Sequence, residues 1–379
     1  MAILNERGST TAAPQEIAAN AMAYAVAARV PVLLWGAPGT GKTSAIRGLA
    51  DTMGLPCEVV IASIREPSDF AGLPVVAAAD GASTAVHFAP PLWARRLAEQ
   101  QQGLLFLDEI STAPPAVQAA LLRVVLERVV GDLTLPEGIV VIAAANPPEQ
   151  AADGWDLSAP LANRFCHIDW PTDGRHFAEG LAAGFPPPPA IELDPLWESD
   201  IAKIKGLVAA FVSARPGLAV VPPTDRATAG RAWPSPRSWE MAARLLTAAI
   251  TSGASEDVQS VLVRGSVGDG AGVEFLSWMT EMDLPDPEVV LASPDAFELP
   301  ERGDRAYAVL SAVAAAVAAN DTPERWVAGW RVLARAGERA PDVAAMAARV
   351  LARCQPSGTA APPEIKAFLP LLKDAGLLQ

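Results

Sequence analysis

The stretch Gly36-Ala-Pro-Gly-Thr-Gly-Lys42-Thr43 decides the fold, because it joins an apolar run to a helix-forming run. Pro31 to Trp35 precedes it and reads as a buried strand, and Thr43 to Asp51 follows it and reads as a helix. In that setting the pattern G-x-x-x-x-G-K-[ST] is typical of a phosphate-binding loop. Its glycines let successive N–H groups face an anion, and the helix N-terminus adds a positive end. The alternative is a chance glycine turn.

Two side chains of this loop have predicted roles toward a bound nucleotide. Lys42 would reach the β- and γ-phosphates, and Thr43 would place its hydroxyl on Mg²⁺. We therefore expect ATP and Mg²⁺ to bind, with Thr43 and Asp108 as the metal-binding residues. The candidate nucleotide-binding residues are Gly36, Ala37, Pro38, Gly39, Thr40, Gly41, Lys42, Thr43, Ser44 and, from a later strand, Asp108.

A second motif, Gly103-Leu-Leu-Phe-Leu-Asp108-Glu109, is an apolar run that ends in two acids. Carboxylates at the C-terminal end of a parallel strand face the crevice in which open α/β sheets bind ligands. Asp108 is predicted to hold Mg²⁺ through water, and Glu109 to act as the general base on the attacking water. The alternative is that the two acids cap the next helix, although Ser111 and Thr112 are better capping residues.

A third apolar run, Ile139 to Ala145, ends in Asn146-Pro147-Pro148. If this strand lies between the glycine-loop strand and the strand that ends in Asp108, Asn146 would lie near the γ-phosphate and the attacking water. The alternative is that Asn146 only begins a turn before two prolines.

The alternation of short apolar runs with helical stretches from Val30 to Trp170 predicts an α/β fold, a parallel sheet with helices on both faces. The segment Phe185-Pro-Pro-Pro-Pro189 breaks any helix and ends this part of the chain. Apolar spacing of three and four residues follows and predicts only helices. The predicted strands are Pro31–Trp35, Glu58–Ala62, Leu104–Leu107, Ile139–Ala144 and Phe165–Ile168.

These patterns divide the chain into three predicted parts. Residues 1–184 form a nucleotide-binding core with an insert at about 66–91, in which Thr84 to Phe88 resembles a strand. Residues 190–264 form a small all-α lid, and residues 265–379 form an α-helical C-terminal region.

The order of these motifs resembles the AAA+ ATPases and, within them, the MoxR-like group, over about Glu16 to Leu246. The glycine loop and Asp108-Glu109 are similar to the Walker A and Walker B motifs of that family. The resemblance implies that Asn146 is sensor 1, that Arg164 is an arginine finger reaching a neighbouring subunit's γ-phosphate, and that Arg237 is sensor 2. The motifs compared are the glycine loop, Leu107-Asp-Glu109, Ala145-Asn-Pro147, Leu161-Ala-Asn-Arg-Phe165 and Ser235-Pro-Arg-Ser-Trp239.

Each arginine assignment has an alternative. Arg164 could pair with an acid in its own subunit, and Arg123 or Arg128 could instead point across a subunit interface. Arg237 opens a predicted helix just after Pro236, where a positive charge opposes the helix dipole, so a nearby anion would explain its position.

Composition narrows the function classes. A formal net charge of −14 argues against a general nucleic-acid binder, since neutralising phosphates requires a surplus of Lys and Arg. Three scattered cysteines, Cys57, Cys166 and Cys354, lack metal-ligand spacing and are expected to be reduced core residues. We expect a cytoplasmic protein with no membrane span. The histidines, His87, His167 and His176, are expected to be structural.

The sequence therefore predicts an ATPase. By resemblance it would act as a homo-oligomeric, hexameric ring, a chaperone that remodels or activates a partner protein, and its partner could carry a von Willebrand factor A domain. Two other classes stay open: a nucleic-acid-dependent motor, and a switch or scaffold that binds ATP with little turnover.

Overall fold

The protein is described by a computed structural model over residues 12–78, 84–147, 156–282 and 284–374 and residue 376. Residues 79–83 of the predicted insert and Pro148 after Asn146 lie outside this range. The chain divides into two compact units. The first takes in Met1–Glu192, Pro223–Ala232 and Ala254–Gly265, and the second takes in Leu193–Pro222, Trp233–Gly253 and Ser266–Gln379.

A five-stranded parallel sheet forms the centre of the first unit, in the order β2-β5-β8-β1-β9. Its inner strands are almost fully buried, as expected where helices cover both faces. Two antiparallel hairpins, β3-β4 and β6-β7, complete the described strands. The strands are β1 (Val32–Trp35), β2 (Cys57–Ile61), β3 (Leu73–Ala78), β4 (Thr84–Ala89), β5 (Gln102–Asp108), β6 (Val129–Val130), β7 (Leu133–Thr134), β8 (Gly138–Ala145) and β9 (Cys166–Asp169).

The predicted fold class is confirmed, and the five predicted core strands match these in position. The largest difference between a predicted and an observed strand start is two residues, at β5, which begins at Gln102 rather than at Leu104. The strand register aligns the C-terminal ends, because Trp35 pairs with both Ala145 and Asp169. These ends therefore meet at one edge of the sheet.

Helices account for most of the remaining chain. They are α1 (Pro14–Ala27), α2 (Lys42–Met53), α3 (Ser68–Ala71), α4 (Leu92–Gln100), α5 (Pro115–Glu127), α6 (Ala159–Ala162), α7 (Gly174–Ala183), α8 (Trp197–Ala214), α9 (Arg226–Ala229), α10 (Pro236–Thr251), α11 (Glu256–Val267), α12 (Asp269–Met282), α13 (Pro287–Ala292), α14 (Gly303–Ala319), α15 (Pro323–Gly337), α16 (Pro341–Arg353) and α17 (Leu369–Asp374). Among the described helices, none is long and apolar enough to cross a membrane.

The second unit is built from helices that pack around tryptophans. Phe211 of α8 lies 5.5 Å from Trp239 of α10 and 5.6 Å from Trp278 of α12, centroid to centroid. A second core surrounds Trp326 and Trp330 of α15, which are fully buried and cross edge to face. These rings stabilise helix packing.

The predicted division into core, lid and C-terminal region stays a prediction. Of the range predicted as a lid, residues 223–232 and 254–265 cluster with the sheet, and the rest of 193–253 clusters with the helical unit. The α11 helix crosses the boundary between the two units near Gly265.

Candidate functional site

The glycine loop connects β1 directly to α2. Gly39 and Gly41 have φ values of 77° and 85°, a left-handed conformation that glycine adopts at little cost. The first hydrogen bond of α2 runs from the N–H of Ala45 to the carbonyl of Gly41, at 2.9 Å. The N–H groups of Lys42, Thr43 and Ser44 lie before it and have no acceptor within the helix. The loop and helix end thus present a set of donors suited to an anion.

Lys42 links the loop to the tip of β8. Its ammonium group donates to the carbonyls of Gly36 at 2.5 Å and Ala37 at 3.0 Å, and to Oδ1 of Asn146 at 3.1 Å. Burial lowers the pKa of Lys42, while the nearby charge of Asp108 acts in the opposite direction. All three acceptors are oxygens, so phosphate oxygens could replace them without changing the kind of bond.

Thr43 and Asp108 bring two oxygen ligands together. The Thr43 hydroxyl donates to Oδ2 of Asp108 at 3.3 Å, and Oδ1 of Asp108 accepts the N–H of Glu109 at 2.9 Å. Hydroxyl and carboxylate oxygens are the donors that Mg²⁺ prefers, usually supplemented by water and phosphate oxygens. These two residues therefore fit the predicted metal.

Glu109 lies just beyond the end of β5 with an exposed side chain. Its φ of 55° is left-handed, which costs a non-glycine residue about 1–2 kcal/mol. Oε2 of its carboxylate accepts the Ser63 hydroxyl at 2.5 Å. Since Ser63 follows β2 and Ile61 of β2 pairs with Asp108, the sheet brings these two residues together. Ser63 was not predicted from the sequence, because only the strand order makes it a neighbour of Glu109.

The alternative in which the two acids cap the next helix does not hold. The α5 helix begins at Pro115, and its N-cap, Pro114, has no side-chain capping bond. Thr112 bonds instead to the carbonyl of Glu109, at 2.9 Å. Asp108 and Glu109 are therefore available for other chemistry.

Asn146 follows β8, which lies between β5 and β1. This is the condition under which the sequence predicts that Asn146 lies near the site. Its backbone N–H donates to the Ser111 hydroxyl at 3.4 Å, and its side chain accepts from Lys42. Asn146 thus connects the loop after β5 to the glycine loop. Together Lys42, Thr43, Asp108 and Asn146 form what we term the strand-tip cluster.

Residues 31–166 match the family model described as the ATPase family associated with various cellular activities (AAA). This segment contains the strand-tip cluster, Glu109 and Arg164. Over these residues the chain is similar to AAA-family ATPases.

Two solved structures resemble the chain weakly. A candidate ATPase from Cytophaga hutchinsonii is 19% identical with a TM-score of 0.42, over 67% of this chain and 81% of its own. A full-length MCM homologue from Methanopyrus kandleri is 18% identical with a TM-score of 0.34, over 70% of this chain and 54% of its own. At these values neither likeness bears on what the chain does. No curated protein matches the chain significantly.

Arg164 lies at the opposite edge of the parallel sheet from the strand-tip cluster. It precedes β9, whose first residue, Cys166, pairs with Val32 at the start of β1, whereas the glycine loop follows Trp35 at its end. Four residues of strand separate these edges by about 13 Å. Arg164 is half-buried, and its Nη1 donates to the carbonyl of Pro160.

The alternative arginines are engaged within their own chain. Arg123 pairs with Glu127 at 3.2 Å, and Nη1 of Arg128 donates to the carbonyl of Glu137 at 2.6 Å. Arg237 lies in the second unit, exposed, in the first turn of α10. Ser235 and Ser238 form a capping box at that turn, so the helix start is fixed independently of Arg237.

The His167 side chain is buried beside β1. Its Nδ1 accepts the indole N–H of Trp35 at 2.9 Å, and its Nε2 donates to the carbonyl of Ala162 at 2.8 Å. Burial lowers the pKa of His167 to about 4, so the ring is neutral at pH 7. His167 is structural, as predicted. The side chain of His176 lies outside the described side chains.

The cysteine prediction needs a correction. All three cysteines are free, but only Cys166 is buried, while Cys57 and Cys354 are half-buried. Burial raises the pKa of both half-buried thiols.

Proposed function

We propose that the chain binds ATP with Mg²⁺, hydrolyses it in an oligomeric ring, and uses turnover to remodel or activate a partner protein. The observation that supports this most directly is the strand-tip cluster. It joins a phosphate-binding loop, a hydroxyl–carboxylate pair and an asparagine at one edge of the sheet, inside the segment that matches the AAA-family model.

The proposed chemistry assigns one task to each residue. The N–H groups of the loop and the Lys42 ammonium bind the phosphates, exchanging the carbonyls of Gly36 and Ala37 for phosphate oxygens. Thr43 and Asp108 hold Mg²⁺, which when bound neutralises phosphate charge. Glu109 accepts a proton from the attacking water.

Two residues prepare that proton transfer. The Ser63 hydroxyl holds Oε2 of the Glu109 carboxylate, which leaves Oε1 to accept a hydrogen bond from water. Asn146, fixed between Ser111 and Lys42, orients the water through its side-chain amide.

The arginines complete the site in the proposal. Arg164 lies too far from the loop of its own chain to contact the same nucleotide, so we assign it to a neighbouring subunit's γ-phosphate. A guanidinium at that position stabilises charge that develops on the transferred phosphoryl group. Arg237 acts as sensor 2 by resemblance. A ring, of six subunits by the MoxR-like resemblance, follows from catalysis in trans.

Protein remodelling suits the net charge of −14 better than motion along nucleic acid. A partner protein, possessing a von Willebrand factor A domain by the same resemblance, would then select the client.

The first experiment measures ATP turnover per subunit across a range of protein concentrations. We expect the specific activity to rise as subunits assemble, and Glu109→Gln to lower it by about 10²- to 10⁴-fold while ATP still binds. A specific activity independent of concentration would contradict catalysis in trans. Negligible turnover in every assembly state would favour a switch, and stimulation by DNA at physiological salt would favour a motor.

The second experiment identifies the partner. Glu109→Gln bound to ATP should retain the partner protein. Its matched control is Lys42→Ala, which lacks the ammonium group proposed to bind the phosphates. A protein retained equally by both variants does not depend on the nucleotide, and that result would count against remodelling.

A further inference from the structure

Trp170, the residue after β9, contacts the glycine loop. Its indole N–H donates to the carbonyl of Thr40 at 3.1 Å, and its side chain is almost fully buried, with 5% of its surface exposed. An indole has a single donor. In Trp170 that donor is therefore committed to one peptide group of the loop.

By holding this peptide group, Trp170 also fixes the direction of the N–H at its other end, which belongs to Gly41. No peptide bond in the described chain is cis, so the Thr40 carbonyl and the Gly41 N–H point in opposite directions across one planar unit. When Trp170 holds the carbonyl on its side of the loop, the Gly41 N–H faces the other side. In sequence the Gly41 N–H directly precedes the N–H groups of Lys42, Thr43 and Ser44, which have no acceptor within α2.

Gly41 makes this constraint necessary. Its φ of 85° belongs to a residue with wide conformational freedom, so the Thr40–Gly41 peptide could rotate unless another group held it. Within the loop, the Thr40 hydroxyl bonds to the carbonyl of Ala37 at 2.8 Å and leaves its own carbonyl to Trp170.

A second contact fixes the start of the loop. The backbone N–H of Trp170 donates to the carbonyl of Trp35 at 2.6 Å. The next residue, Gly36, packs so closely that a Cβ there would lie 3.0 Å from the Trp170 carbonyl oxygen. Trp170 therefore contacts both ends of the turn.

We propose that Trp170 is a positioning residue of the phosphate-binding loop: its indole N–H holds the Thr40 carbonyl and thereby directs the Gly41 N–H at the phosphates. The inference rests on the proposed function, since it takes the loop's ligand to be a nucleotide phosphate. Without this bond the peptide populates other orientations, and apparent affinity falls in proportion to the competent fraction.

The test compares Trp170→Phe with Trp93→Phe, by calorimetric titration with Mg²⁺ and ADP. Trp93 is a matched control: it is 6% exposed in the core of the same unit, and its indole N–H has no hydrogen-bond partner among the described residues. Both substitutions remove the same atoms, but only one removes a hydrogen bond. We expect Trp170→Phe to raise the Kd for ADP by about 3- to 10-fold, and Trp93→Phe to leave it unchanged.

Melting temperatures without nucleotide separate positioning from packing. Trp170→Phe should lose somewhat more Tm than Trp93→Phe, because it also loses a hydrogen bond. A loss of ADP affinity confined to Trp170→Phe supports positioning. If both variants bind ADP as the wild type does, the inference is overturned while the proposed function stands. If the wild type binds no ADP, the proposed function fails and the inference with it.

A second replacement keeps the test valid should Trp170→Phe fold poorly. Benzothienylalanine at position 170 preserves the shape of the bicyclic ring and replaces the N–H by sulfur. We expect the same rise in the Kd for ADP with a smaller loss of Tm than in Trp170→Phe, because the packing of the ring is kept. An affinity equal to that of the wild type would overturn the proposal.

Discussion

The strand-tip cluster and the two arginines proposed for the same phosphate differ in what fixes them. Lys42, Thr43, Asp108 and Asn146 bond to one another within one chain. Arg164 bonds to a carbonyl of the preceding helix, α6, at the far edge of the sheet, and Arg237 is exposed in the other unit.

The difference has a geometrical cause. Neighbouring parallel strands are about 4.8 Å apart, so residues just beyond their C-terminal ends contact one another once the strand order is set. An arginine on a helix end has no such constraint, and its role depends on what approaches it. We therefore expect substitutions in the two regions to respond differently to subunit assembly.

The largest expected effect comes from Arg164→Ala. If Arg164 acts in trans, ATP turnover should fall by about 10³-fold or more, because an arginine finger stabilises transition-state charge. Arg123→Ala, which removes an arginine paired with Glu127 in its own chain, should leave turnover within about threefold, as expected for a surface ion pair.

Mixing subunits sharpens this first prediction. Arg164→Ala and Glu109→Gln subunits are each inactive alone, but a mixed ring places an intact Glu109 beside an intact Arg164. Turnover should reappear on mixing. An activity that stays at the level of the separate variants would place Arg164 outside a shared site.

A smaller effect is expected within the cluster, from Asn146→Ala. The substitution removes the side-chain oxygen that Lys42 contacts at 3.1 Å, and hydrogen bonds to charged groups contribute about 1.5–3 kcal/mol. We expect kcat to fall by about 10- to 100-fold relative to the wild type at every protein concentration, because Asn146 acts on the nucleotide bound to its own chain. A loss of kcat that disappears as subunits assemble would contradict the expected difference between the strand-tip cluster and the two arginines.

The third prediction concerns stability at the junction of β1 and β9. The folded-state pKa of His167 is about 4, below the ordinary value of 6.5, so the unfolded chain binds more protons between these values. The stability from a neutral His167 is therefore complete above about pH 6.5 and falls toward pH 4. Arg231 and Asp169, which form an ion pair at 2.8 Å, act on this pKa in opposite directions: Arg231 lowers it and Asp169 raises it.

His167→Gln tests this pH dependence, because glutamine can hydrogen-bond without titrating. Between pH 7 and pH 5 the wild type should lose about 2 kcal/mol more unfolding free energy than the variant does. Chemical denaturation at both pH values measures the difference. Parallel losses in the two proteins would contradict the assignment of a low pKa to His167.

The smallest effect is expected from Ser63→Ala. The Glu109 carboxylate would lose its 2.5 Å contact, and kcat should fall by about 3- to 10-fold as the orientation of that carboxylate becomes less defined. Ser63→Thr keeps the hydroxyl and should restore most of the rate. Equal rates for Ala and Thr at this position would show that the hydroxyl does not orient Glu109.

Much of the fold could be predicted because each signal is local. The apolar run before Gly36 and the helix after Lys42 follow from short stretches of sequence, and the five core strands were found from their composition. The residues that contact Glu109 and the glycine loop could not all be predicted, because some of them are distant in sequence. Ser63 lies 46 positions from Glu109, with no motif of its own, and Trp170 lies 130 positions from Thr40.

By itself, the sequence determined the chemistry that the strand ends can carry: a glycine loop with Lys42 and Thr43, two acids after β5, and Asn146 after β8. The tertiary structure decided which of these groups meet. Placing β8 between β5 and β1 brings Asn146 to Lys42, and pairing Cys166 with Val32 puts Arg164 at the other edge. The reason is physical: residue type and local spacing are written along the chain, whereas strand order follows from how helices and sheet bury their apolar faces together.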